Sequence, residues 1–182
     1  INLNLAPVLD ITQSGDFLDN RSFKRDFEET GKLAKGLILG QKEGKILTAI
    51  KHFPGYGGIS FNPERTNLAI LEKIPEISQF EIALEGKPEM IMIANVIYKE
   101  IDQNFPFSLS SQSIQFLKSE LKNNFLIISD DLSSPVLKKE FSLKNTIILA
   151  FQAGVDIQIV AGFDAPEDPP SDSRAVLWDP RH

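Results

Sequence analysis

The chain has 182 residues, enough for one ordinary domain and too few for two. Its 42% hydrophobic and 24% charged residues are those of a folded globular protein, and a net charge of −6 with scattered basic residues argues against a nucleic-acid partner. Cysteine is absent, which removes disulfides, thiolate zinc sites and a cysteine nucleophile, and no apolar run, that around Phe125 to Ile128 included, approaches the roughly 20 residues that span a bilayer.

A cysteine-free chain suits a reducing compartment, so the cytoplasm is the expected location, without membrane contact. No charged-then-apolar signal segment opens the sequence, which starts at Ile1 inside a strand-like run; a segment upstream of it could carry such a signal.

In chain order, the spacing predicts a strand over Asn2 to Leu9, then a helix over Arg25 to Gln41 carrying Phe27, Leu33, Leu37 and Ile38, with Gly44 as its stop. A second strand covers Leu47 to His52. A helix over Glu76 to Glu85 follows Pro75, with Ile77, Phe80 and Leu84 at helical spacing. The third strand is Met90 to Asn95. Ser110 or Ser111 caps a helix whose Ile114, Leu117 and Leu121 share one face. A fourth strand at Phe125 to Ser129, a helix from Leu143 to Gln152 ended by Gly154, and a fifth strand at Val155 to Ala161 complete the order. The central strands are nearly all apolar, as parallel strands covered on both faces require, and the strand–helix alternation predicts an α/β fold of βα units.

Residues 163–182 break with the composition of the rest, holding no Lys, four of the eleven prolines and the only Trp. Residues 1–162 are therefore expected to form the domain and 163–182 an irregular tail outside the core.

Polar residues fall where strands end. Asp10 follows the first, Lys51 and His52 end the second, Asn95 the third, Asp130 and Asp131 the fourth. At the carboxyl edge of a parallel sheet, groups from separate strands converge, whether the sheet closes as a barrel or stays open. No GxGxxG or Walker sequence is present, which lowers a nucleotide-binding reading.

NLNLAPVLDI (2–11), DNRSF (19–23), KHFPGYG (51–57), MIMIANVIY (90–98) with Asp102, and IISDDL (127–132) occur in one order. Together they resemble glycoside hydrolase family 3, in its bacterial β-N-acetylhexosaminidase branch, over about residues 1 to 161. The resemblance implies a partial TIM-type (β/α) barrel of about five parallel strands with covering helices, because a whole barrel takes about 250 residues. The first barrel strands are then expected to be absent, making the chain either a piece of a longer product or an incomplete relic with exposed sheet edges.

The resemblance further implies a retaining glycosidase that hydrolyses terminal N-acetylglucosaminides through a covalent glycosyl–Asp intermediate, with no metal or organic cofactor. Asp130 corresponds to the nucleophile, and Lys51, His52 and Arg21 to sugar-binding positions. An isolated strand-end Asp more often caps a turn, an isolated Lys or His is more often a surface or backbone-bonded residue, and Arg21 has Asp19 and Asp26 as ordinary ion-pair partners.

One departure stands out. The family's Asp-Ser-His, whose His is the general acid/base, aligns with Asn62, Pro63 and Glu64, and the only histidines are His52 and His182. Either Glu64 replaces the His as proton donor, which requires its pKa to rise through burial, or the loop has lost catalysis and leaves a sugar-binding homologue. A β-glucosidase of the same family is a third possibility. Tyr56 stands where the family usually has His. The partner is a carbohydrate, and oligomeric state is left open.

Overall fold

The computed structural model of the protein describes residues 1–162 together with the strand Val176–Trp178. In chain order, the first half forms β1 (Leu3–Asn4), α1 (Phe27–Glu43), β2 (Leu47–Phe53), β3 (Ala69–Leu71), α2 (Ser78–Leu84), β4 (Met90–Ile93) and β5 (Val96–Tyr98). The second half forms α3 (Ser111–Glu120), β6 (Leu126–Asp131), α4 (Pro135–Phe141), α5 (Leu143–Ala153), β7 (Ile157–Val160) and β8 (Val176–Trp178).

The principal sheet has the order β1-β2-β4-β6-β7-β8, its first five strands all parallel and β8 antiparallel to β7. Helices cover its outer face, giving a half-barrel, as the partial-barrel expectation required. The tail expected over 163–182 lies outside the described residues except for Val176–Trp178, whose backbone pairs with Gln158–Val160.

Local signals set the helix ends. Asp26 caps α1 by accepting from the amide of Glu29 at 2.8 Å, and Thr30, Ala34 and Ile38 bury the inward stripe. Ser110 caps α3, Ser134 caps α4 with Pro135 in its first turn, and Ser142 caps α5, which ends on left-handed Gly154. Gly31 brings α1 against α2, since a Cβ there would lie 2.7 Å from that of Ile82.

Two apolar clusters lie on either side of the sheet. The larger packs Ile50, Phe53, Ile91, Ile93 and Ile127 with helical residues such as Phe80, Leu84, Ile114 and Leu117. Phe53 is the pivot, with its ring edge-on to Phe80 at 5.1 Å and Phe107 at 5.5 Å. The smaller, on the concave side, contains Ala49, Met90, Met92, Ile128 and Ile159.

Several expected boundaries are corrected. The first strand shrinks to Leu3–Asn4, with Val8 bridging separately to Lys51, because Pro7 has no N–H to continue the ladder. The third ends at Ile93, and Val96–Tyr98 pairs instead with Ala69–Leu71 as a small second sheet. The helix expected from Glu76 begins at Ser78, so Pro75 lies ahead of it. The short helix α4 was not anticipated; its seven residues show too little periodicity.

Candidate active site

All the strand ends that carry polar residues meet at one edge of the sheet. Regular alternation would send Lys51 and His52 to opposite faces. The pairing of β2 with β4 instead slips between Lys51 and Phe53, where one extra residue enters β2. This bulge lets Lys51 and His52 both line the same cleft, of about 180 Å³, with Arg21, Tyr56, Glu64 and Asp130. A similar slip between Ile128 and Asp131 separates the two aspartates: Asp130 borders the cleft, while Asp131 borders a neighbouring groove with Glu64, Arg65 and Ser134. The residues expected to be catalytic or sugar-binding, Asp130, Glu64, Arg21, Lys51 and His52, thus line one cavity.

Asp10 is the buried hub. Its Oδ2 accepts from the backbone amide of His52 at 3.1 Å and from His52 Nδ1 at 2.8 Å, and its Oδ1 accepts from the amide of Tyr56 at 2.6 Å. With Nδ1 committed to Asp10, the other imidazole nitrogen, Nε2, faces Asp130 Oδ2 at 3.8 Å. The Tyr56 hydroxyl donates to the same Oδ2 at 3.1 Å and accepts from the Asn95 amide at 2.9 Å. Asp130 Oδ1 accepts from the amide of Asp131 at 2.9 Å. Asp131 itself accepts from the amide and hydroxyl of Ser133 and from the amide of Ala161, tying the ends of β6 and β7 together.

The loop between β2 and β3 is held at both ends. Tyr98 donates from its hydroxyl to the carbonyl of Gly55. Gly57 passes so close to Ile11 that a Cβ would sit 2.6 Å from its carbonyl oxygen, so only glycine fits. Farther along, Asn62 Oδ1 accepts from the Glu64 amide at 3.0 Å and its carbonyl from those of Arg65 and Thr66, a turn that aims Glu64 back at the cleft.

The electrostatics are those of charged groups crowded into a partly buried cleft. Burial first, then the charge of and hydrogen bond to Asp130, with Asp131 adding, push the Glu64 carboxyl up to about 9. Its Oε1 is buried without a partner. Burial and then the neighbouring Arg21 guanidinium hold Lys51 below its ordinary range, partly opposed by Asp130, Asp10 and Glu64. Arg21 is not paired with Asp19, which binds Lys24 at 3.1 Å, nor with Asp26, which caps α1.

Residues 1–165 match the family model described as the glycosyl hydrolase family 3 N terminal domain. The chain belongs to glycoside hydrolase family 3. It is 33% identical over 168 residues to a beta-hexosaminidase of Idiomarina loihiensis, a match covering 88% of this chain and 50% of that one. Among solved structures, beta-N-acetylhexosaminidase from Beutenbergia cavernae superposes with a TM-score of 0.78 at 27% identity, over 87% of this chain and 51% of that one. Native NagZ from Neisseria gonorrhoeae does so with a TM-score of 0.71 at 28% identity, over 88% and 47%. This family 3 chain thus spans about half the length of the relatives it matches.

Two groups of this family 3 site were not among the candidates taken from the sequence. Asp10 was visible only as one more strand-end carboxylate. Tyr56 was noted only as a departure from the family pattern. Its contact with Asp130 crosses 74 residues of sequence, and no local signal announces it.

Proposed function

We propose that the protein is a retaining β-glycosidase of the N-acetylhexosaminidase type, acting on terminal N-acetylglucosaminides. The observation that carries this reading is the meeting of two carboxyl groups in one cleft, one of them held protonated. Asp130 accepts from Tyr56 and from its neighbouring amide, whereas Glu64 is pushed up to about 9 and keeps its proton at neutral pH. A carboxyl that holds its proton beside a second, hydrogen-bonded carboxylate suits the roles of acid and nucleophile.

In the first step an oxygen of Asp130 attacks the anomeric carbon as the glycosidic bond breaks, and Glu64 gives its proton to the departing oxygen. In the second, Glu64, now a carboxylate, takes a proton from water as that water attacks the anomeric carbon. The ester bond breaks and returns Asp130 as a carboxylate. Lys51 and Arg21 supply donors to sugar hydroxyls, and His52, with Nδ1 held by Asp10, offers Nε2 to the cleft.

The test is Asp130→Ala in the full-length protein with an aryl N-acetylglucosaminide. Turnover is expected to fall by at least about 10⁴-fold, as for loss of a covalent nucleophile; unchanged turnover dismisses the assignment. Saturable sugar binding with no product and no trapped ester identifies a sugar-binding homologue instead. Preference for the corresponding glucoside marks a β-glucosidase.

A further inference from the structure

Tyr56 carries a feature that the two-carboxyl mechanism does not use. Its ring is almost wholly buried, edge-on to His52 at a centroid distance of 4.9 Å and to Phe17 at 6.3 Å. Its amide is anchored on Asp10, while its hydroxyl is fixed by the Asn95 amide behind it and points at Asp130 Oδ2. A hydroxyl that already accepts from a backbone N–H has its own hydrogen left for one direction, and here that direction is the carboxylate.

We infer that Tyr56 is a positioning residue for Asp130, its hydroxyl setting the rotation of the carboxylate and stabilising its anion. The inference rests on the reading of Asp130 as nucleophile. Burial, and next the charge of Asp130, keep the phenol well above its ordinary range, so it remains a donor throughout the working pH. Asp10 serves the same arrangement from the other side. One carboxylate holds both the amide of Tyr56 and the imidazole of His52, so the two groups that flank Oδ2 are locked to a common anchor. A hydrogen bond to the anion acts in both chemical steps. It fixes the orientation of the Asp130 carboxylate for attack, and it stabilises the carboxylate that leaves when water breaks the glycosyl ester.

The site around Asp130 contains other titratable groups: Glu64 from the β2–β3 loop, Lys51 and His52 from β2, Asp10 after β1, Arg21 from the following loop, and Asp131 beside it. None of them is altered by Tyr56→Phe, which removes one oxygen and keeps the buried ring. In the full-length protein this variant is expected to lower kcat on an aryl N-acetylglucosaminide about 10- to 100-fold, the size of a lost hydrogen bond to a charged group, with KM within about twofold. The acidic limb of its kcat/KM profile is expected to move to higher pH, because the anion has lost a donor. Placing 3-fluorotyrosine at position 56 keeps the hydroxyl and strengthens it as a donor, so that limb moves to lower pH. This second substitution decides the matter if the phenylalanine variant fails to fold.

Labelling wild type with a mechanism-based fluorosugar, followed by peptide mass analysis, separates the role of Asp130 from that of Tyr56. An ester on Asp130 together with the opposed shifts of the acidic limb supports the inference. An ester on Asp130 with kcat and the acidic limb unmoved in either variant overturns the role of Tyr56 alone. An ester on another residue overturns the nucleophile reading and this inference with it.

Discussion

Glu64 is the residue on which the proposed reaction turns, and its environment has consequences that can be measured. If its proton is required for departure of the leaving group, kcat/KM falls on the alkaline side with a limb near pH 9, where the folded-state carboxyl ionises. Glu64→Gln is expected to remove that limb and to lower kcat by about 10²- to 10⁴-fold on substrates with poor leaving groups. Aryl glycosides with good leaving groups should be far less affected. A variant whose loss is the same for both substrate classes speaks against the proton-donor role.

The same carboxyl makes stability depend on pH. Its ordinary value is 4.5 and its folded value about 9, so between these the folded state holds a proton that the unfolded chain gives up. On this account stability is highest below about pH 4.5 and falls as pH rises toward 9. The Gln variant lacks this penalty. Urea midpoints at pH 5 and pH 8 should show Glu64→Gln gaining on wild type as pH rises; equal changes in both proteins count against an enclosed, protonated Glu64.

At the level of elements, two of the three glycines of α1 carry opposite expectations. Gly31 lies in the contact with α2, and an added methyl would meet Ile82 at 2.7 Å and the carbonyl of Gln79 at 3.0 Å. Gly31→Ala is expected to cost about 1–3 kcal/mol by overpacking. Gly36 has nothing within 4 Å of its added Cβ, so Gly36→Ala is expected to stabilise the helix by about 0.5–1 kcal/mol. Chemical unfolding of the two variants checks the packing of α1 on α2 directly, because the sign of the effect differs while the substitution does not. Phe53 joins the elements to the site. It ends the bulged strand that delivers Lys51 and His52, and its ring is locked among Phe80 and Phe107. Phe53→Ala is expected to cost about 3–5 kcal/mol.

At the scale of the whole molecule, the principal sheet leaves β1 at an edge, with no strand beyond it among the described residues. The concave cluster of Met90, Met92, Ile128 and Ile159 is bordered by the only partly buried Leu3, Leu5 and Ile157. An unpaired parallel edge beside an apolar face favours association. Sedimentation velocity of the 182-residue chain is therefore expected to show a weight-average mass that rises with concentration; a constant monomer mass up to about 100 μM contradicts this.

Much of this was legible in the chain alone. Strands covered on both faces must be apolar along their length, so the runs at 47–52, 90–95 and 125–129 marked the sheet, and serine and glycine punctuation marked the helices. In a parallel sheet the polar residues that follow those runs share one edge, which is why Lys51, His52 and Asp130 could be grouped before any coordinates. What tertiary structure alone decided depends on contacts between distant segments. A bulge opposite β4 turned Lys51 and His52 to the same side, against the alternation their order implies. The return of the Asn62–Thr66 turn enclosed Glu64 against Asp130, and that burial, with the adjacent charge of Asp130, raises its pKa. The hydroxyl of Tyr56 reached a carboxylate 74 positions away. Periodicity and strand-end polarity are properties of neighbours along the chain, whereas ionisation and hydrogen-bond direction are set by whatever the fold brings alongside.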